Sequence, residues 1–188
     1  MATMDQLKEK VLSCTACKLA ATRTNAVFGG GNFHARVLFI GEGPGQQEDL
    51  SGLPFVGRAG KLLDQMLDAV DLSREKDIFI TNMVKCRPPG NRDPQPDEVS
   101  TCIEYLHEQI RLIAPQYIVC LGRVAAQSLI DPNFRVTKQH GQFIEKDGTL
   151  MMGTFHPAAL LRNPRQKVDA FDDFCKLRDR LLESEASL

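Results

Sequence analysis

The chain has 188 residues, 43% of them hydrophobic and 25% charged, and a net charge of −1. That length and balance fit one globular domain with a real core, and they leave no global basic field of the kind that coats nucleic acid. No apolar run approaches the roughly 18 residues of a membrane span, and MATMDQLKEK has no apolar centre of a signal peptide, so a cytoplasmic protein with no membrane contact is expected.

Apolar positions at Met4, Leu7 and Val11 predict a short helix over 4–13 that stops near Cys14. Residues 20–35 lack periodicity and contain Gly29-Gly30-Gly31, which reads as a surface loop. Arg-Val-Leu-Phe-Ile (36–40) reads as the first strand. The loop GEGPGQQEDLSGLPFVG follows, and Leu62, Leu63, Met66, Leu67 and Val70 place a helix over about 58–70. Residues 77–82 form the second strand and 86–96, CRPPGNRDPQP, an irregular loop. Pro96 with Asp97 and Glu98 opens a helix whose face repeats Val99, Cys102, Ile103, Leu106 and Ile110. The third strand is 117–121, ended by Gly122, and a short helix follows at 123–130. A minor strand or hairpin is expected within 133–148 and a fourth strand at 149–154. The loop HPAALLRNPRQ and a last helix, 167–183, come next, and the tail ESEASL is expected to be disordered.

Short, unalternating apolar strands that alternate with helices predict a parallel sheet covered on both faces, in a single domain over residues 1–188. Ligands in such sheets bind beyond the carboxyl ends of the strands. The residues there are Gly41-Glu42-Gly43, Asn82, Gly122-Arg123 and Thr-Phe-His-Pro (154–157), so the polar candidates share one edge. The loop after the first strand adds Glu48, Asp49 and Phe55. Flexible glycines, fixed acids and one ring suit a small planar ligand. Asp49 reads as an exposed or capping residue. Two basic groups, Lys85, Arg87 and Arg92, and Arg162, Arg165 and Lys167, flank these loops and suit phosphate contacts.

Of six cysteines, Cys120 lies in a buried strand and Cys175 on the apolar face of the last helix with Phe171 and Phe174; both read as core. Cys14 and Cys17 form a CxxC pair, and Cys86 and Cys102 are single residues in or beside loops. An intracellular chain disfavours disulfides. Four thiolates suit tetrahedral zinc or an iron–sulfur cluster, and the spacing does not choose between them.

Together, GEGPGQQED…GLPFVGRAGKLLD, TNMVKCRPPGNRDPQPDE, the four cysteines and TFHPAALLRNP resemble the family 4 uracil-DNA glycosylases, nearly end to end and in the same order. The resemblance implies a three-layer α/β/α sandwich with a central four-stranded parallel sheet, uracil-containing DNA as the partner and a monomeric enzyme. It also implies a structural [4Fe–4S] cluster on Cys14, Cys17, Cys86 and Cys102, in a subregion built from the N-terminal segment and residues 83–102.

Uracil must leave the base stack to be reached. By the resemblance, Phe55 stacks on it, Asn82 pairs with O4 and N3–H, and His156 bonds O2 as charge builds on the leaving base. Backbone groups of Gly41, Glu42 and Gly43 complete the pocket. Better-known uracil glycosylases carry an Asp where this chain has Gly43, so the carboxylate that handles water is expected to be Glu42, with Glu48 second. Leu160 or Leu161 is the candidate wedge for the vacated stack, and the two basic groups clamp phosphates. Three rivals remain: a relative that traps itself covalently on DNA, a non-catalytic binder of uracil-containing DNA, and an iron–sulfur electron carrier. The first has a basic, His-containing insertion after the second strand, where this chain has KCRPPGNRDPQPDE and no His.

Overall fold

The computed structural model describes residues 3–186. In chain order it contains α1 (Met4–Leu12), β1 (Gly30–Gly31), β2 (Val37–Gly41), α2 (Gln46–Ser51), α3 (Arg58–Asp68), β3 (Ile78–Asn82), α4 (Pro96–Ile113) and β4 (Tyr117–Leu121). Then come α5 (Arg123–Leu129), α6 (Val136–Gln139), β5 (Phe143–Lys146), β6 (Thr149–Thr154), α7 (Pro157–Arg162) and α8 (Lys167–Ala186). The six strands lie in the order β1-β3-β2-β4-β6-β5. The four central ones are parallel, as expected, while β1 and β5 add antiparallel edges.

Every residue of β2, β3 and β4 is buried, because side chains alternate between two covered faces. Leu38, Ile40, Ile118 and Cys120 join one core with Leu7 and Val11 of α1 and Leu106 and Ile113 of α4. Val37, Phe39, Tyr117 and Val119 join the other with Leu63 and Leu67 of α3 and Phe174 and Leu177 of α8. Strand register then aligns the carboxyl ends: Gly41 pairs with Asn82, and Leu121 with Thr154.

Four expectations change. Residues 20–35, expected as a surface loop, bury Ala26, Val27 and Phe28 and contribute Gly30–Gly31 as the edge strand β1. The first-strand loop contains a helix, α2, which ends where Gly52 turns left-handed at φ 74°. The chain continues helical through Ala186 where disorder was expected, because Arg36 pairs with Glu185 at 2.5 Å and donates to the Leu181 carbonyl at 3.3 Å; residues 187–188 of the tail lie outside the described residues. Phe171 is 41% exposed, so of the expected apolar face only Phe174, buried, and Cys175, half-buried against the same core, face inward.

Candidate active site and thiol cavity

At the carboxyl edge of the sheet, Gly41, Phe55, Asn82 and His156 meet. A Cβ on Gly41 would lie 2.5 Å from Asn82 Oδ1 and 2.6 Å from Phe55 Cζ, so only glycine leaves room between the amide and the ring. Asn82 is 1% exposed, and its Oδ1 is buried with no hydrogen-bond donor among the described residues. Such an orphaned acceptor costs free energy unless a ligand satisfies it.

Phe55 is held in a left-handed conformation, φ 49°, which a bulky residue adopts only when its surroundings enforce it. Arg74 donates to the Pro54 carbonyl at 2.9 Å and the Phe55 carbonyl at 2.7 Å. Glu48 Oε1 accepts from the Val56 and Gly57 N–H groups, both at 2.9 Å. A Cβ on Gly60 would run into the Phe55 carbonyl. Neither Arg74 nor Gly60 was foreseen from the sequence, since both act on the Phe55 backbone and carry no motif of their own. The Phe55 ring lies 5.7 Å from the His156 ring at 32°.

Pro157 opens α7 at its first position, where its missing N–H is no loss and its ring keeps the preceding residue extended. His156 accordingly sits at φ −68°, ψ 135° as the helix N-cap. Its Nδ1 accepts from the Ala158 N–H at 3.1 Å, so in the neutral ring the proton is on Nε2. Part of the ring meets solvent, but protein encloses enough of it that desolvation, helped by Arg162, lowers its pKa to about 4. At neutral pH His156 is an uncharged Nε2–H donor. A Cβ on Gly122 would lie 2.9 Å from His156 Cβ.

Glu42 is half-buried, and its pKa rises to about 7, from desolvation first and then from Asp93, against the opposing pull of Arg123 and Arg162. Arg123 also pairs with Asp93. The two glutamates of the loop therefore differ: Glu48 braces the Phe55 segment, and Glu42 carries the raised pKa. Asp49, expected to be exposed or capping, is 5% exposed and accepts from Thr24 N–H at 2.8 Å.

The flanking basic groups are less free than expected. Lys85 is 1% exposed and its Nζ is bonded within the fold, which removes it from the candidate phosphate contacts. Arg92 holds Glu98 with two bonds at 2.7 and 2.8 Å. That pairing, with the Gln95 N–H at 2.8 Å, outweighs the desolvation of Glu98 and lowers its pKa to about 2. Arg87 is partly exposed and donates to Asn91 Oδ1 at 2.7 Å. Arg162, Arg165 and Lys167 are exposed. Leu160 is 0% exposed and belongs to the core under α7, so it is excluded as a wedge, whereas Leu161 is partly exposed.

On the other side of β3, Cys14, Cys17, Cys86 and Cys102 line one cavity together with Arg23 and Tyr105. Among the described residues no three His, Cys, Asp or Glu side chains are close enough to share one metal ion. Zinc at ~2.3 Å from each sulfur would need sulfurs roughly 3.8 Å apart. Arg23 Nη1 donates to Cys86 Sγ at 3.1 Å and Lys85 N–H to Cys102 Sγ at 3.3 Å. Burial raises both thiols, and these positive groups oppose the shift. Donors aimed at two of four gathered thiols suit thiolate ligands of a metal centre.

Residues 28–181 match the model of the uracil DNA glycosylase superfamily. The chain is 44% identical over 185 residues to the type-4 uracil-DNA glycosylase of Archaeoglobus fulgidus, covering 94% of this chain and 92% of that one. It is 46% identical over 189 residues to that of Sulfurisphaera tokodaii, with 95% and 85% covered. It is 47% identical over 162 residues to that of Thermotoga maritima, with 85% and 84% covered.

Proposed function

The chain belongs to the uracil DNA glycosylase superfamily, and from that membership we propose how it removes uracil from DNA. The reaction is hydrolysis of the N-glycosidic bond, which leaves an abasic site and initiates base excision repair. The observation that carries the site assignment is the buried, unpaired Asn82 Oδ1 facing the space over Gly41. A flipped uracil offers N3–H to that oxygen and accepts at O4 from the same amide, whereas cytosine reverses both demands. Phe55 forms the stacking wall. Backbone groups of Gly41, Glu42 and Gly43 close the floor.

The C1′–N1 bond breaks with its electron pair leaving on the base, and charge gathers at uracil O2. The His156 Nε2–H meets that charge without first having to lose or gain a proton. Preorganised donors of this kind are often worth ~3 kcal/mol each. Water forms the new C1′–O bond to the oxocarbenium-like sugar and gives its proton to the Glu42 carboxylate. Arg162, exposed and close enough to bias both His156 and Glu42, contacts the phosphate beside the flipped nucleotide, with Arg165 and Lys167 beyond it. Arg87 serves the opposite flank, and Leu161 fills the vacated stack.

The four thiols hold a [4Fe–4S] cluster in this reading, within the subregion formed by the N-terminal segment and residues 83–102 of a single glycosylase domain. When bound, it would cross-link the turn after α1, the 86–96 loop and α4. The protein works as a cytoplasmic monomer.

The test is incubation with a uracil-containing single-stranded oligonucleotide followed by alkali. Several strand breaks per protein molecule are expected. No cleavage defeats the reading, and a stable protein–DNA adduct would assign the chain to the self-trapping relatives. Assay for iron and acid-labile sulfide checks the cluster.

A further inference from the structure

Lys85 is the largest polar side chain sealed inside the fold, and removing it from the phosphate clamp leaves its role open. Its Nζ donates to Thr81 Oγ1 at 2.6 Å, the Asn82 carbonyl at 2.7 Å and Gln109 Oε1 at 2.7 Å. Burial lowers the Lys85 pKa to about 7, and in the protonated form all three ammonium donors are matched. The partners are themselves anchored: Thr81 Oγ1 and Gln109 Nε2 both donate to the Phe28 carbonyl, at 2.9 and 2.8 Å. Thr81 and Gln109 are fully buried. The backbone of Lys85 faces the other region. Its N–H donates to Cys102 Sγ at 3.3 Å, its carbonyl accepts from Val27 N–H at 2.7 Å, and the next residue is Cys86.

We propose that Lys85, with Thr81 and Gln109, is the positioning device of Asn82, through which the order of the thiol cavity reaches the base-reading amide. The inference rests on the uracil reading of Asn82. Because Asn82 Oδ1 has no donor within the fold, no side-chain bond to that oxygen fixes the amide. Its direction follows from its own backbone and from packing against Gly41 and Phe55. The Asn82 carbonyl is the backbone atom that Lys85 grips. No neutral side chain of that length supplies three donors at one point. The planar fork of arginine spreads its donors outward and does not converge them on three acceptors around one atom.

A structural role alone would lower stability and slow the reaction whether or not the Asn82 amide is present, and a double-mutant cycle separates the two. Lys85→Met and Thr81→Val are each made in the wild-type and Asn82→Ala backgrounds, with iron content and folded fraction measured alongside uracil release. Lys85→Met is expected to lower kcat/KM about thirtyfold in the wild-type background and less than about threefold in the Asn82→Ala background, and Thr81→Val about fivefold with the same non-additivity. Equal factors in both backgrounds, or no effect on either, overturn the proposal. If Lys85→Met does not fold or loses its iron, Thr81→Val and Gln109→Leu carry the cycle. A readout independent of catalysis is the Asn82 side-chain amide resonance, identified by its loss in Asn82→Ala. It is expected to shift or broaden in the network variants, and an unchanged resonance overturns the proposal even if the wild type released no uracil, a result that would defeat the functional reading instead.

Discussion

The proposed uracil pocket and the thiol cavity lie on either side of the end of β3, and they are built in opposite ways. The pocket is assembled by backbone. Strand register brings Gly41 to Asn82, Glu48 and Arg74 grip peptide groups around Phe55, and Pro157 presets His156. The cavity is assembled by side chains from segments that have little else in common: a turn after α1, a proline-rich loop and the second turn of α4. A backbone-built site is rigid before its ligand arrives, and a side-chain-built site around free thiols depends on what the thiols bind. The first suits preorganised catalysis, and the second suits metal-coupled folding.

Four outcomes test that contrast, from the largest effect to the smallest. His156→Ala should lower the single-turnover rate about 10²–10³-fold while leaving affinity for uracil-containing DNA nearly unchanged. An equal fall in rate and affinity would break the idea of a preorganised donor. Glu42→Gln should cost about 10–10²-fold and abolish an acid limb. Its pKa is raised to about 7, so the carboxylate that accepts the water proton predominates only above that value. The wild-type rate should therefore climb through pH 7 and the Gln variant's should not. His156, with its pKa lowered to about 4, should contribute no limb between pH 5 and 8; a second limb there would mean it acts as an imidazolium.

On the other side of β3, Cys102→Ala should lower the melting temperature by several degrees, on the scale of a 2–3 kcal/mol loss, and reduce iron content. The rate per folded molecule should change less than it does in His156→Ala. If instead catalysis fell as far with the fold intact, the cavity would be part of the reaction centre. Arg162→Ala should weaken DNA binding a few-fold and reduce the slope of log affinity against log salt by ~0.7–0.9, the signature of one phosphate contact. An unchanged slope would place Arg162 with the site's internal electrostatics only.

The sequence makes the sheet legible because runs such as Val-Leu-Phe-Ile (37–40) have no alternation and must be covered twice. It makes the edge legible because glycines, Asn82 and His156 fall directly after those runs. What it did not reveal are choices between equivalent residues. Glu42 and Glu48 share one loop and one chemistry, yet two N–H groups eight and nine residues on engage Glu48. Leu160 and Leu161 are the same residue type, and helical phase alone sends Leu160 into the core. Lys85, Arg87 and Arg92 read as one basic cluster, but Gln109 and Glu98, both on α4, draw two of them away from DNA.

Composition and order thus determined which donors, acceptors, thiols and turns the chain possesses and that strand ends would collect them. The tertiary structure decided the direction in which each one points. Residue type fixes what a side chain can bond, but partners distant in sequence decide which bond forms. A buried lysine and a carboxylate both shifted to about pH 7, and a neutral imidazole, exist only once those partners are in place.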